Sequence, residues 1–231
     1  VLSTPVPEPD HLNASYAGAI SYTGAANAAP DSAPWRHDPE LSGQGAADVF
    51  TRVDPVLARS GLGAAEFGTI AHLCVEALLS NQEPRIPSSL GGRLTPAEAE
   101  TLREGGKQIA RRFLASPLGA QAQSAPYRRS EYPFRSLWER GELPASPTIL
   151  TIPANPPGRS VFINGIIDLL FEWENEVRVV DFKTDSVENP AEHRRQMAFY
   201  ERAARELRGK PCRVWLYYLR TGRAVEIARP G

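Results

Sequence analysis

Residues 161–184 read VFINGIIDLLFEWENEVRVVDFKT, and this stretch decides the fold. It contains two apolar runs, 161–173 and 177–184, that are rich in branched and aromatic residues. Between them stands the polar triplet Glu174-Asn175-Glu176, whose composition is typical of a turn. Two apolar runs joined by a short polar turn predict a β-hairpin.

The chemically informative residues of this hairpin are Asp168, in the middle of the first run, and Asp181 and Lys183, near the end of the second. Side chains alternate along a strand, so Asp181 and Lys183 are expected on one face and Phe182 on the other. An isolated carboxylate within an apolar strand costs several kcal/mol to desolvate. We therefore expect a cation close to Asp168.

Helix and strand signals surround the hairpin on both sides. Apolar residues recur at helical spacing over 63–80, and the segments Thr95-Pro96-Ala97-Glu98 and Asn189-Pro190-Ala191-Glu192 are typical helix starts. Gly105 and Gly106 are expected to weaken the second helix. Further strands are predicted at 129–136, 148–152, 213–219 and 224–227. This order predicts an α/β fold with a central mixed β-sheet flanked by helices.

The start of the chain has a different composition from the rest. Residues 1–60 are predicted to be linker-like, because this segment is rich in Ala, Gly, Pro and Ser and its charged residues are mainly acidic. Residues 61–231 are predicted to form the folded domain. Val1 at the start and Met197 as the single methionine favour a fragment of a longer chain.

Several classes of protein are disfavoured by simple counts. The chain has two cysteines, Cys74 and Cys212, too few to hold an Fe–S cluster, so no Fe–S cluster is expected. No apolar run reaches the length of about 20 residues that spans a bilayer, and no G-x-x-x-x-G-K-[ST] loop is present. We expect a cytoplasmic protein without membrane contact that does not itself hydrolyse ATP through such a loop.

Two carboxylates and a lysine suit phosphodiester hydrolysis. Asp168 and Asp181 would hold Mg²⁺ or Mn²⁺, which prefer oxygen ligands, and His72 would add a nitrogen from the helix at 63–80. Lys183 could orient or deprotonate a bound water and stabilise developing negative charge. Alternatives stay open: a lone histidine is often a satisfied core residue, Asp181 and Lys183 could form a structural ion pair, and Tyr200 could serve packing alone.

Five short motifs occur in order, and together they resemble the nuclease domain of RecB/AddA-type helicase–nucleases, within the PD-(D/E)XK superfamily. They are Gly68-Thr69-x-x-His72, Glu131-x-Pro133-Phe134, Gly165-x-Ile167-Asp168, Asp181-x-Lys183-Thr184 and Gln196-x-x-x-Tyr200. Each motif alone is a weak signal, but five in the family's order are a strong one. The resemblance covers roughly residues 63–228.

The resemblance implies roles for individual residues. The implied metal ligands are His72, Asp168, Asp181 and the Phe182 carbonyl, and the implied catalytic lysine is Lys183. Gln196 and Tyr200 match the motif that flanks the site and helps to place DNA or the lysine. Glu131 matches a further motif of the family. We expect its side chain to support the metal ligands rather than to bind the metal itself.

The implied function is a Mg²⁺- or Mn²⁺-dependent deoxyribonuclease, an exonuclease of the RecB/AddA type that acts in DNA end processing, recombination and double-strand break repair. Its implied partners are single-stranded DNA ends, helicase domains upstream in the same polypeptide and a second helicase–nuclease subunit. One alternative is a catalytically silent domain that binds DNA or serves subunit docking. Another is a free-standing exonuclease.

Two groups of arginines are candidates for phosphate contacts, which would give salt-dependent binding without sequence preference. The first group is Arg128, Arg129, Arg135 and Arg140. The second is Arg194, Arg195, Arg202, Arg205 and Arg208, for which a solvated helix face interleaved with glutamates is the alternative.

Overall fold

The computed structural model describes residues 35–139 and 160–227, which form a mixed sheet with helices on both faces. The strands are β1 (Trp35–Asp38), β2 (Arg128–Trp138), β3 (Val161–Trp173), β4 (Glu176–Lys183), β5 (Cys212–Tyr218) and β6 (Arg223–Ile227). The helices are α1 (Ala47–Ser60), α2 (Ala64–Leu79), α3 (Ser88–Gly91), α4 (Pro96–Ala115), α5 (Pro117–Ser124) and α6 (Pro190–Arg208).

The sheet order is β1-β6-β5-β4-β3-β2. Strands β4 and β5 pair in parallel, and the other neighbours are antiparallel. A parallel pair needs a crossover connection, and α6 supplies it between β4 and β5. The predicted α/β fold with a central mixed sheet is therefore confirmed. The described helices include none with the length and apolar character needed to cross a membrane.

The predicted hairpin is also confirmed, with a tighter turn than the sequence suggests. Glu176 already pairs with Trp173, so the turn consists of Glu174 and Asn175. Both have left-handed backbone, with φ of 49° and 65°. Two left-handed residues make the turn type whose twist matches that of paired strands, and this fixes the register of β3 against β4.

Two apolar cores cover the two faces of the sheet. On one face, α1, α2, α4 and α5 pack on side chains such as Phe182, whose ring centroid lies 4.7 Å from that of Phe113. On the other face, α6 packs Met197 and Tyr200 against Leu216 and its neighbours. Phe182 therefore points away from α6, and the predicted alternation along β4 is confirmed.

The structure differs from the expected linker over residues 35–60. Strand β1 pairs with β6 at the sheet edge, and α1 buries Val49, Phe50 and Val53 against the core. Their spacing is helical, and this local pattern outweighs the average composition of the segment. Residues 1–34 and the strand predicted at 148–152 lie outside the described residues.

The glycine pair in α4 does not interrupt that helix, which runs unbroken from Pro96 to Ala115. A Cβ on Gly105 would lie 2.6 Å from Val53 Cγ2 of α1, and one on Gly106 would lie 2.8 Å from Cys74 Sγ of α2. Both distances are shorter than a Cβ atom tolerates from a carbon or sulfur atom that is not bonded to it. The two glycines thus let α1 and α2 approach α4 closely, and this packing offsets their low helix propensity.

Candidate active site

The predicted site residues lie where β4 ends, between α2 and α6. Lys183 Nζ lies 2.7 Å from Asp181 Oδ2, and the Asp181 side chain is only 2% exposed. Burial raises the pKa of the Asp181 carboxyl, an effect that the Lys183 charge opposes. Burial alone would lower the pKa of Lys183, but attraction to Asp181 outweighs it and the pKa is raised. Lys183 therefore stays a cation at neutral pH.

Helix α6 completes a hydrogen-bonded network around this ion pair. Gln196 Nε2 donates to Asp181 Oδ1 at 3.2 Å and to the Tyr200 hydroxyl at 2.8 Å. Gln196 Oε1 accepts from Lys183 Nζ at 3.3 Å. Residues four apart lie on one helix face, so the Gln-x-x-x-Tyr spacing lets both side chains reach β4. We call Asp181, Lys183, Gln196 and Tyr200 the lysine cluster.

Tyr200 combines packing with this hydrogen bond. Its ring lies edge-on to Phe134 with centroids 5.6 Å apart, and the residue is 6% exposed. Gly165 makes room for that contact, because a Cβ there would lie 2.6 Å from Phe134 Cε1. The glycine of the Gly-x-Ile-Asp motif thus serves close packing beside the site.

A second group lies next to the lysine cluster. His72 of α2, Glu131 of β2 and Asp168 of β3 each offer a ligand atom, and these atoms lie within 4.8 Å of one another. His72 Nδ1 is 3.7 Å from Asp168 Oδ2, and His72 Nε2 is 3.1 Å from the Phe182 carbonyl oxygen. Asp168 Oδ2 also accepts a hydrogen bond from the Phe182 N–H at 2.8 Å. We call His72, Glu131 and Asp168 the acidic cluster.

Glu131 is held under strain. It stands opposite Asp168, between the register pairs Ser130↔Leu169 and Tyr132↔Ile167. Like charges facing each other across strands destabilise a sheet, and the Glu131 backbone has a left-handed φ of 47°, which costs about 1–3 kcal/mol in a non-glycine residue. Burial and the Asp168 charge raise the pKa of Glu131 to about 7.

The donor set of the acidic cluster fits a divalent cation. One imidazole nitrogen and two carboxylates are ligands that Mg²⁺ and Mn²⁺ accept, and a cation would neutralise the repulsion between Glu131 and Asp168. The PD-(D/E)XK resemblance implies His72, Asp168, Asp181 and the Phe182 carbonyl as ligands. The structure brings His72, Asp168 and the Phe182 backbone together. The Asp181 carboxylate contacts Lys183 and Gln196 and is not among the three side chains whose ligand atoms converge. The assignment of ligands stays a prediction.

Glu131 lies in the acidic cluster itself, in the first line of possible ligands. Its carboxylate is a possible ligand in this arrangement, and the expected role in support of the ligands stays a prediction. The sequence could not show this position, because it depends on the register of β2 against β3.

The Gly-Thr-x-x-His motif explains how α2 positions His72 at the end of β4. A Cβ on Gly68 would lie 3.1 Å from Thr184 Oγ1, so the glycine lets the helix approach the end of β4. Thr184 Oγ1 donates to the Ala64 carbonyl at 3.3 Å and fixes the helix there. His72, four residues after Gly68, then lies on the face that meets the site.

His193 is a site neighbour that the sequence did not reveal. It lies on α6, with Nε2 4.0 Å from Asp185 Oδ2. Burial and the Lys183 charge lower the pKa of His193 to about 4. His193 is therefore neutral at pH 7 and adds no second cation beside Lys183. No motif surrounds this histidine, so only the fold could find it.

The arginines of the two groups make different kinds of contact. Arg128 serves the fold, because it donates to backbone carbonyls at the ends of α5 and α2. Two arginines of α6 pair with glutamates of the same helix, as the solvated-face alternative expects: Arg202 with Glu206 and Arg205 with Glu201. Arg208 instead pairs with the buried Glu172 of β3. Arg135 is exposed and stacks on Phe162, 3.9 Å from the ring centroid. Arg140 lies outside the described residues.

Comparison with known proteins identifies the family of this chain. Residues 49–229 match the family model of the PD-(D/E)XK nuclease superfamily. The chain is 31% identical over 186 residues to an ATP-dependent helicase/nuclease subunit of Lacticaseibacillus paracasei, across 74% of this chain and 14% of that protein. Proteins of the same name from Moorella thermoacetica and Syntrophomonas wolfei are 32% and 28% identical, across 76% and 79% of this chain.

The chain spans 13% to 16% of the length of these three relatives. The family match begins within α1 and extends past β6, so it includes every residue of both clusters. The mixed sheet, the five motifs and the family match lead to the same conclusion. The chain belongs to the PD-(D/E)XK nuclease superfamily and is similar to subunits A of ATP-dependent helicase/nucleases.

Proposed function

We propose that this chain is a deoxyribonuclease that requires Mg²⁺ or Mn²⁺. One observation carries the proposal: the acidic cluster adjoins the lysine cluster, and Phe182 joins them. Its N–H binds Asp168, its carbonyl lies beside His72, and its two chain neighbours are Asp181 and Lys183. Carboxylates, an imidazole and a fixed ammonium group within one site are the parts that phosphodiester hydrolysis needs.

The residues that would hold the metal are His72, Asp168, Asp181 and the Phe182 carbonyl, with Glu131 within reach of His72 and Asp168. A bound Mg²⁺ or Mn²⁺ polarises a phosphate oxygen and lowers the pKa of a water ligand. The chain's own contribution is to bring the ligand atoms of the acidic cluster together from three different elements, α2, β2 and β3.

Lys183 acts as a fixed cation. Its raised pKa disfavours a role as general base at neutral pH, and its ammonium group suits the negative charge that grows on phosphate during hydrolysis. Asp181 and Gln196 both contact Nζ, so the charge is oriented before DNA arrives. Tyr200 positions Gln196 through its hydroxyl.

The similar proteins are named as helicase/nuclease subunits, and this suggests the setting. We propose that the chain is the nuclease part of a helicase–nuclease, an exonuclease of the RecB/AddA type. It would cut single-stranded DNA ends delivered by helicase domains upstream in the same polypeptide, together with a second subunit. The process would be DNA end processing in recombination and double-strand break repair, in the cytoplasm.

The test is degradation of end-labelled linear single-stranded DNA by the purified chain with Mn²⁺ or Mg²⁺. We expect cutting that EDTA abolishes and that Asp168→Asn or Lys183→Gln lowers by at least about 100-fold, the usual effect of losing one preorganised charge. Glu174→Gln, in the hairpin turn at the far end of β4, is the matched control and should cut normally.

Two results would contradict the proposal. Cutting that persists in EDTA would exclude a metal mechanism. Absence of cutting by a folded chain that binds Mn²⁺ and DNA would favour the silent docking domain instead.

A further inference from the structure

The β2–β3 pair extends beyond the rest of the sheet. Residues 169–173 of β3 pair with β4, whereas residues 161–168 pair only with β2 within the described part of the chain. The two strands therefore continue past the acidic cluster as a two-stranded ribbon. Asp168 and its opposite residue, Glu131, mark the point where the ribbon leaves the sheet.

The two faces of this ribbon have different environments. One face packs on α6, where Phe134 contacts Tyr200 and Trp138 contacts Phe199. The opposite face is exposed to solvent at every position. We call it the ribbon face, and it consists of Pro133, Arg135, Leu137, Phe162, Asn164 and Ile166.

The ribbon face concentrates exposed apolar surface. Leu137, Phe162 and Ile166 are 48%, 56% and 50% exposed, and they are three of the five large exposed hydrophobic residues found among the described residues. Leu137 stands opposite Phe162, and Ile166 stands opposite Pro133 on the same face. Single exposed hydrophobic residues are normal, but several on one face are typical of a binding surface.

Its charge fits a polyanion. Arg135 is the one charged residue of the ribbon face, and it lies over the Phe162 ring rather than in an ion pair with a carboxylate of the described chain. No acidic residue belongs to this face. An aromatic ring, branched apolar side chains and a guanidinium that is not paired with a carboxylate are what unpaired bases and their phosphates bind. Duplex DNA would offer no base faces to stack on them.

The position of the face is as informative as its chemistry. Pro133 and Ile166 lie two residues from Glu131 and Asp168 on the same strands, so the ribbon face runs directly away from the acidic cluster. We infer that the ribbon face binds single-stranded DNA by base stacking and leads the strand into the acidic cluster. This inference rests on the proposed function, which it deepens by assigning the approach path of the substrate.

The experiment measures fluorescence anisotropy of a labelled oligothymidylate titrated with the 231-residue chain in EDTA, where no cutting occurs. The variants are Phe162→Ser with Ile166→Ser, and Arg135→Gln. Val187→Ser is the matched control, because Val187 is 75% exposed and lies outside the ribbon. A deoxyribose-phosphate oligomer without bases is the second probe.

We expect the Phe162→Ser, Ile166→Ser variant to bind oligothymidylate about tenfold more weakly than the unchanged chain, with Val187→Ser unaffected. Arg135→Gln should reduce the slope of log affinity against log salt by about 0.7, since one phosphate contact is lost. The unchanged chain should bind the oligomer without bases as weakly as the double variant binds oligothymidylate.

Three outcomes would overturn the inference: no measurable binding by the unchanged chain, equal binding by the double variant and Val187→Ser, or a double variant that changes only the oligomeric state in light scattering. The last would make the ribbon face a contact between copies. A chain that cuts DNA while its ribbon variants bind normally would refute this inference alone. A chain that never cuts, but whose ribbon variants lose binding, would refute the proposed function alone.

Discussion

The lysine cluster and the acidic cluster lie side by side but differ in how their charges are balanced. In the lysine cluster, Asp181 contacts both Lys183 and Gln196, so its charge is matched within the chain. In the acidic cluster, Glu131 and Asp168 face each other across two strands, and His72 is the only basic side chain in the group. Of the two clusters, only the second contains strained backbone, at Glu131.

This difference shows that contacts within the chain balance the charge of Asp181 but not the charges of Glu131 and Asp168. The lysine cluster is preorganised, because every contact that holds Lys183 already exists in the chain. The acidic cluster keeps a repulsion that folding alone does not remove, and the two apolar cores offset its cost. Unfavourable charge at a strained residue is a frequent property of functional sites.

The largest effect on stability should come from breaking the matched pair. Lys183→Met leaves Asp181 buried without its cation, and we expect the free energy of unfolding to fall by about 3 kcal/mol. Urea denaturation measures the change. Lys210→Met is the matched control, since Lys210 pairs with Glu172 at a partly exposed position and should lose at most about 1 kcal/mol. Equal losses in the two variants would mean that Asp181 does not depend on Lys183.

We expect a smaller effect in the way the free energy of unfolding of the metal-free chain depends on pH. Because the pKa of Glu131 is raised to about 7, the folded chain binds more protons than the unfolded chain between about pH 4.5 and 7. Stability should therefore fall as the pH rises through this window. Glu131→Gln removes the repulsion and should stabilise the chain at pH 8 by about 1 kcal/mol after solvent screening is allowed for.

Thermal unfolding in EDTA across this pH range measures the effect, and about 1 kcal/mol corresponds to about 2–4 °C in Tm for a domain of this size. Glu174→Gln, which removes an exposed carboxylate elsewhere, should keep the slope of the unchanged chain. An identical slope in Glu131→Gln would show that the acidic cluster carries no such repulsion.

The smallest effect on stability is expected at Tyr200, where a substitution can separate ring packing from the hydrogen bond with Gln196. Tyr200→Phe keeps the ring on Phe134 but removes the hydroxyl that accepts from Gln196, so the free energy of unfolding should fall by only about 0.5 kcal/mol, the lower end for one hydrogen bond. If Tyr200 also positions Gln196 against Lys183, the rate of cutting at saturating DNA should fall while the affinity for DNA stays the same. An unchanged rate would leave Tyr200 with packing alone.

The sequence predicts the lysine cluster better than the acidic cluster, for a physical reason. Asp181 and Lys183 share a face through strand alternation, and Gln196 and Tyr200 share one through helical periodicity, so both relations are local. The meeting of Glu131 with Asp168 depends on the register between two strands separated by a long connection, which no local pattern specifies.

Two other features were missed for related reasons. The average composition of residues 1–60 hides the helical spacing of Val49, Phe50 and Val53 in α1. Gly105 counts against a helix locally, but it is required where α1 crosses α4. In both cases tertiary packing decides the outcome, and propensity alone cannot predict it.

The most direct test of the central claim, that the acidic cluster binds a divalent cation, is calorimetric titration of the chain with Mn²⁺ at pH 8. We predict binding by the unchanged chain and by Glu174→Gln, and at least about tenfold weaker binding by Asp168→Asn. Equal affinity in Asp168→Asn, or no binding by the unchanged chain, would contradict the claim.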